Sequence, residues 1–117
     1  MGKKMGREKS LRDILDFIDR SADHYGWIVN EDRDFVTKLA QGLLINYQRY
    51  GYLQCPCRDS WGDKKHDQDI VCPCTYCSDD IQEYGQCYCG LFLSPEFYAE
   101  GRTPTAIPER RPDSKFP

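Results

Sequence analysis

Apolar residues recur at helical spacing through the first half of the chain. Leu11, Ile14, Leu15 and Ile18 follow an i, i+3, i+4, i+7 pattern and Phe17 widens the stripe, which predicts an amphipathic helix over residues 10–24. Ser10 stands at the N-cap of that helix, and Asp13 stands at the position that completes a capping box. Gly26 breaks the pattern. Asn30, Glu31 and Asp32 then supply a capping and acidic start for a second helix. Phe35, Val36, Leu39, Leu43 and Leu44 form its apolar face, and it is expected to run to about Tyr50, before Gly51. Two such stripes can bury each other, so residues 1–53 read as a helical-hairpin scaffold rather than a cofactor box.

From Cys55 to Cys89 the periodicity is lost and Pro, Asp, Gly and Cys dominate. This composition predicts loops, interrupted by one short helix near Ser78 to Tyr84. Gly90-Leu91-Phe92-Leu93 is a short apolar run. Ser94 and Pro95 after it look like a cap and a first-turn proline, the start of a last short helix. Residues 101–117 carry four prolines and several charges, so they are expected to be extended or loosely packed. The fold class that emerges is mainly α: a small single domain, residues 1–117, of short helices with a functional site built on the loops of residues 54–90.

Composition narrows the function. A net charge of -3 and a pI near 5.3 argue against nucleic-acid binding, which needs clustered Lys and Arg. No stretch approaches a membrane span. The basic start Met1–Gly6 leads into the charged Arg7-Glu8-Lys9 instead of an apolar segment, unlike a signal peptide. The expected location is therefore cytoplasmic. In such a reducing compartment seven cysteines, an odd number, point to metal binding or redox chemistry rather than a structural disulfide framework.

Six of the seven lie in three Cys-x-Cys pairs: Cys55-Pro56-Cys57, Cys72-Pro73-Cys74 and Cys87-Tyr88-Cys89. In extended chain, residues i and i+2 point to the same side, so each pair can aim two sulfurs at one region, and a central proline stiffens that geometry. An iron-sulfur cluster takes four thiolates, and the two left over are the number needed for a redox disulfide. Cys77 completes a Cys-x-x-Cys with Cys74, itself a metal-ligand spacing, and is either a spare thiol or an alternative ligand. A structural zinc module, or an iron-sulfur electron carrier without a catalytic dithiol, are the competing readings.

The pairs resemble the catalytic (beta) subunit family of ferredoxin:thioredoxin reductases, whose motifs are C-P-C, C-P-C and C-H-C. The likeness is close over residues 55–89. It extends more loosely to Tyr25-Gly26 and to the approach Gly51-Tyr52-Leu53-Gln54 before the first motif. It implies a [4Fe-4S] cluster held by Cys55, Cys72, Cys74 and Cys87, beside a redox-active disulfide between Cys57 and Cys89. In that family the residue at the Cys57 position is the exposed nucleophile. The implied activity is reduction of a thioredoxin or thioredoxin-like disulfide with single electrons from ferredoxin, and the family's plant-type members have a small second subunit. Two features depart from the pattern. The spacers, 14 and 12 residues long, differ from those of plants and cyanobacteria, which marks a divergent member. The central histidine of C-H-C is Tyr88 here, which leaves Tyr88 itself or His66 as candidate proton donors. Arg58 could hold Cys57 as a thiolate or simply be solvated.

Overall fold

The computed structural model describes residues 9–117; the basic start Met1–Gly6 lies outside the described residues. Helix α1, Leu11–Tyr25, begins where the capping box predicts: the Asp13 N–H donates to Ser10 Oγ at 3.2 Å, and the Ser10 N–H donates to Asp13 Oδ2 at 2.9 Å. Gly26 ends it at φ +76°, a left-handed conformation that only glycine adopts without strain. Helix α2, Arg33–Tyr50, is capped by Asp32, which accepts the Phe35 N–H at 3.2 Å.

Ile14, Ile18 and Ala22 of α1 meet Val36, Leu39, Ala40 and Leu43 of α2 in a contiguous apolar core. Leu11, Leu15, Phe17, Phe35 and Leu44 pack on its margin, half-buried. Each large aliphatic side chain removed from water contributes about 1.5–3 kcal/mol. The same core extends to Cys77, Ile81, Cys87, Leu91 and Phe92, so the cysteine-bearing half rests directly on the hairpin.

The loop region holds more regular structure than its composition predicts. A single turn of helix, α3 (Lys64–Asp67), is capped by Asp63 and continues into a 3-10 turn at Gln68–Ile70. Helix α4 spans Cys77–Tyr84. The apolar run after Gly90 is a strand, β2 (Phe92–Leu93), paired antiparallel with β1 (Ile28–Val29) in the register Ile28 to Leu93 and Val29 to Phe92. Helix α5, Pro95–Ala99, starts at Ser94, whose Oγ accepts the Phe97 N–H at 3.0 Å. Close to half of the described chain is helical and only these two short strands form a sheet.

The C-terminal segment is extended, as its prolines require, but it is not loosely packed. Arg111 is 2% exposed. Its guanidinium donates to Asp69 Oδ2 at 2.9 Å and to the carbonyls of Asp59 and His66. Arg110 donates to the buried carboxylate of Asp80 at 2.8 Å and also reaches Glu83. A charged, proline-rich sequence looks solvated when its partners lie 27–52 residues away, and acids and carbonyls of the cysteine-bearing half are those partners.

Candidate metal centre and dithiol site

Backbone pairing sets the cysteine pairs side by side. An isolated bridge joins Gln54 to Val71; flanking it, the Cys55 N–H donates to the Ile70 carbonyl at 2.8 Å and the Cys72 N–H to the Leu53 carbonyl at 2.7 Å. The first two Cys-Pro-Cys motifs are thereby neighbours. Gln54 is buried and its amide donates to the Cys55 and Arg58 carbonyls, tying the first motif into a tight loop. That loop lies on α2 at Gly42: a Cβ added there would come within 2.9 Å of Pro56 Cβ. A glycine inside a helix costs about 1 kcal/mol against alanine, and here it permits the close approach of the motif.

The third pair is held by the sheet. The Cys87 N–H donates to the Phe92 carbonyl at 3.0 Å, and Gly90, at φ +76°, turns the chain between them. Asn30, predicted only as part of a helix start, is buried and its side-chain amide donates to the Gly90 carbonyl at 2.8 Å. Its own carbonyl oxygen accepts the Asp32 N–H at 2.9 Å. One residue therefore connects the start of α2 to the loop that carries Cys89.

Six sulfur-bearing side chains, Cys55, Cys72, Cys74, Cys77, Cys87 and Cys89, line one cavity between α2 and the loops. Leu39 and Leu43 of α2, with Leu91 and Phe92, give it apolar walls, and Arg58 and Tyr88 are also in its lining. Cys57 is exposed outside it. The sulfurs of Cys55, Cys57 and Cys89 nonetheless lie within 4.8 Å of one another, with Cys55 Sγ and Cys89 Sγ 3.1 Å apart. Cys77 is buried at the start of α4 and hydrogen-bonds Cys87.

Electrostatics separates these thiols. Hydrogen bonds from Cys55 and Cys89 lower the Cys57 thiol to about 4, making it the member of the trio that carries negative charge. Its hydrogen bond to Cys57 raises Cys55 to about 11, and hydrogen bonds to Cys55 and Cys57 raise Cys89 well above the ordinary value. Burial raises Cys72 well above that value and Cys74 to about 11. Arg58 is not a solvated neighbour of Cys57. It is 7% exposed, its Nη1 donates to Cys74 Sγ at 3.0 Å, and its Nε and Nη2 grip the Glu109 carboxylate, each at 2.9 Å. Its guanidinium lies 4.5 Å from the Tyr88 ring centroid and 5.3 Å from that of Tyr76. Burial also raises the Tyr88 phenol. His66 sits on α3, exposed, with Nδ1 bonded to Asp63 Oδ2 at 2.5 Å and its ring 5.0 Å from that of Trp61; it is not part of the cavity lining.

The donor set fits a thiolate-held metal centre. Apolar walls and burial disfavour negative sulfur, and a metal is the partner that keeps several converging thiols deprotonated. Thiolates select zinc or iron-sulfur centres, and six thiols exceed the four that either requires.

Comparison with known proteins identifies the family. The model of the ferredoxin thioredoxin reductase catalytic beta chain matches residues 4–109. The chain belongs to that family. Similar curated proteins are the ferredoxin-thioredoxin reductase catalytic chain of Porphyra purpurea, 29% identical over 90 residues, and the chloroplastic catalytic chain of Arabidopsis thaliana, 29% identical over 101 residues. The first alignment covers 74% of this chain and 72% of the Porphyra protein; the second covers 84% of this chain and 66% of the Arabidopsis protein. The ferredoxin-thioredoxin reductases are oxidoreductases, and this member brings six of its seven cysteines together around one cavity. No helix among the described residues is long and apolar enough to cross a membrane. Gly42, Asn30 and Glu109 are parts of the site that the sequence alone does not mark as such. A glycine inside a helical pattern is a recognisable mark of close approach, whereas nothing local marks Glu109.

Proposed function

We propose that the chain reduces protein disulfides with electrons delivered singly by ferredoxin, its substrate being thioredoxin or a thioredoxin-like protein. The observation that carries this reading is the division of the sulfurs: six line a walled cavity, while Cys57 stands outside it, exposed and still next to Cys89. A zinc module has no use for such an outlying thiol. In the proposal Cys55, Cys72, Cys74 and Cys87 hold a [4Fe-4S] cluster, with Cys77 beside Cys87 as a spare thiol or alternative ligand. When bound, that cluster supplies one-electron transfer.

The chemistry of the chain's own residues follows from thiol exchange. Cys57, the exposed thiol, attacks the substrate disulfide; one substrate sulfur joins Cys57 and the other leaves as a thiolate that takes a proton. Cys89 then attacks Cys57 Sγ, which releases the substrate as a dithiol and forms the Cys57–Cys89 disulfide. Two electrons, one from each of two ferredoxins, and two protons reopen it. Tyr88, between Cys87 and Cys89, keeps its phenolic proton because burial raises its pKa, so it can donate a hydrogen bond to a departing thiolate. His66, bound to Asp63 on the surface, is the less favourable proton donor. A small second subunit, present in plant-type members, is part of the proposal as a partner.

The test is anaerobic purification with iron, sulfide, zinc and visible-spectrum measurements on one sample, followed by a disulfide-reduction assay of Cys57→Ser. The reading requires about four irons and four sulfides per chain. It also requires a Cys57→Ser variant that keeps its iron and loses turnover. One zinc and no colour would overturn it.

A further inference from the structure

Arg58 is the residue of the site whose surroundings the proposed chemistry leaves unused. It directly follows the first Cys-Pro-Cys motif, and its side chain is buried in the protein rather than solvated. Three contacts fix it there: Nη1 on Cys74 Sγ at 3.0 Å, the two-nitrogen grip on Glu109 at 2.9 Å for each nitrogen, and the aromatic faces of Tyr88 and Tyr76 on its plane. The side chain retains 1% of its exposure, and that of Glu109 22%. A guanidinium in this position is desolvated, and it cannot lose its proton to relieve the cost. Its charge and its N–H therefore act on the sulfur of Cys74 at full strength in a medium that screens weakly.

We propose that Arg58 is a positioning residue that sets the reduction potential of the metal centre through its hydrogen bond to Cys74, and that Glu109 holds it in place and offsets part of its charge. The inference rests on the reading that Cys74 is a ligand of an iron-sulfur centre. Reduction adds one negative charge to a thiolate-held centre, and a cationic N–H donor on a ligand sulfur stabilises the reduced form more than the oxidised one. Arg58 thus makes the centre easier to reduce. Glu109, anionic and one residue further out, works in the opposite direction.

The signs distinguish this role from simple packing. Arg58→Gln removes the charge and the fixed donor, so the potential falls. Glu109→Gln removes a negative charge while its amide oxygen still accepts from Arg58, so the potential rises. The double variant Arg58→Gln/Glu109→Gln removes one charge of each sign. What remains of its shift reports the hydrogen bond to Cys74 together with the part of the nearer positive charge that Glu109 does not offset, and the potential still falls. The double variant also leaves no buried unpaired carboxylate, so it remains informative if Arg58→Gln alone fails to fold.

The experiment is an anaerobic redox titration of wild type and variants against mediator dyes, followed by visible absorption and electron paramagnetic resonance, with iron and sulfide counted on each sample. The equilibrium constant for reduction by a fixed one-electron donor is expected to fall about tenfold in Arg58→Gln, equivalent to about 59 mV. The shift in the double variant should be smaller with the same sign, and that in Glu109→Gln of opposite sign. Unshifted potentials in both Arg58 variants, with iron and sulfide retained, would overturn the inference and leave the proposed function standing. A wild-type protein without iron and sulfide would instead remove the function itself, and this inference with it.

Discussion

The hairpin and the cysteine half are held together by different physics. In α1 and α2 nearly every stabilising contact is apolar and the polar work is done at the ends, by Ser10, Asp32, Gly26 and Gly51. The cysteine half buries charge. Asp67 is fully buried and accepts from the hydroxyls of Tyr52 and Ser60 and from the N–H groups of Trp61 and Gly62. Arg58, Asp80 and Arg111 are buried as well, and Arg111 comes within 3.8 Å of Asp67. Buried ion pairs of this kind add little net stability, but removing one partner is costly. The comparison teaches that the hairpin tolerates change by degrees, whereas the cysteine half depends on complete sets of partners.

The sharpest way to break that contrast is Arg111→Ala. It strips Asp69 of its nearest cation and removes a fully buried guanidinium, with an expected loss of about 3–5 kcal/mol; denaturant unfolding of the variant measures it. Leu43→Ala, at a fully buried position of α2, should cost about 2–5 kcal/mol through lost burial and the cavity left behind. The same measurement reads it, and a cost at the low end would mark a hairpin able to collapse around the gap.

Acid separates the halves without mutation. Burial by itself would raise the carboxyl groups of Asp67, Asp69 and Glu109. Hydrogen bonds from Ser60 and Tyr52, from Tyr76 and Arg111, and from Arg58 respectively outweigh it, so all three are lowered. A lowered carboxyl contributes stability above its ordinary value and loses it as pH falls through the folded one. Below about pH 4 the cysteine half should therefore loosen before the hairpin. The two tryptophans report separately: Trp61 donates its backbone N–H to Asp67 at 3.1 Å and its indole N–H to the Lys115 carbonyl at 2.9 Å, and Trp27 stacks on Tyr25 with centroids 4.5 Å apart. In a Trp27→Phe variant the fluorescence of Trp61 should change at a higher pH than far-ultraviolet helicity does. Coincident transitions would mean that the halves unfold as one. The smallest expected effect is Ser10→Ala, about 1 kcal/mol from the loss of an N-cap, read as a small shift of the denaturation midpoint.

The same division decides what the sequence reveals. Helix α1, expected over residues 10–24 and found at Leu11–Tyr25, is legible because its signals, period and cap, are local. The start of α2 at Asp32 and of α5 after Ser94 are legible for the same reason. The three cysteine pairs announce a sulfur-rich site because residues two apart must face together. What stays hidden is long-range. The grip of Arg58 on Glu109 spans 51 residues, and no propensity marks either residue for the other. The β1–β2 pair is too short to show a period, and α3 is a single turn that owes its place to Asp63 and Asp67. Arg111 reads as an exposed charge because its acceptors, Asp69 and the carbonyls of Asp59 and His66, are brought to it only by the finished fold.

The clasp on Arg58 also has a place in time. At roughly 5–20 residues per second of synthesis, Glu109 emerges about 3–10 s after Arg58. In the later part of that interval, once Asp80 has been made, both Cys-Pro-Cys motifs exist while Arg58, Asp69 and Asp80 still lack their tail partners. A newborn chain therefore passes through a stage in which its sulfurs are present and their surroundings are open, until residues 109–111 are translated and close them.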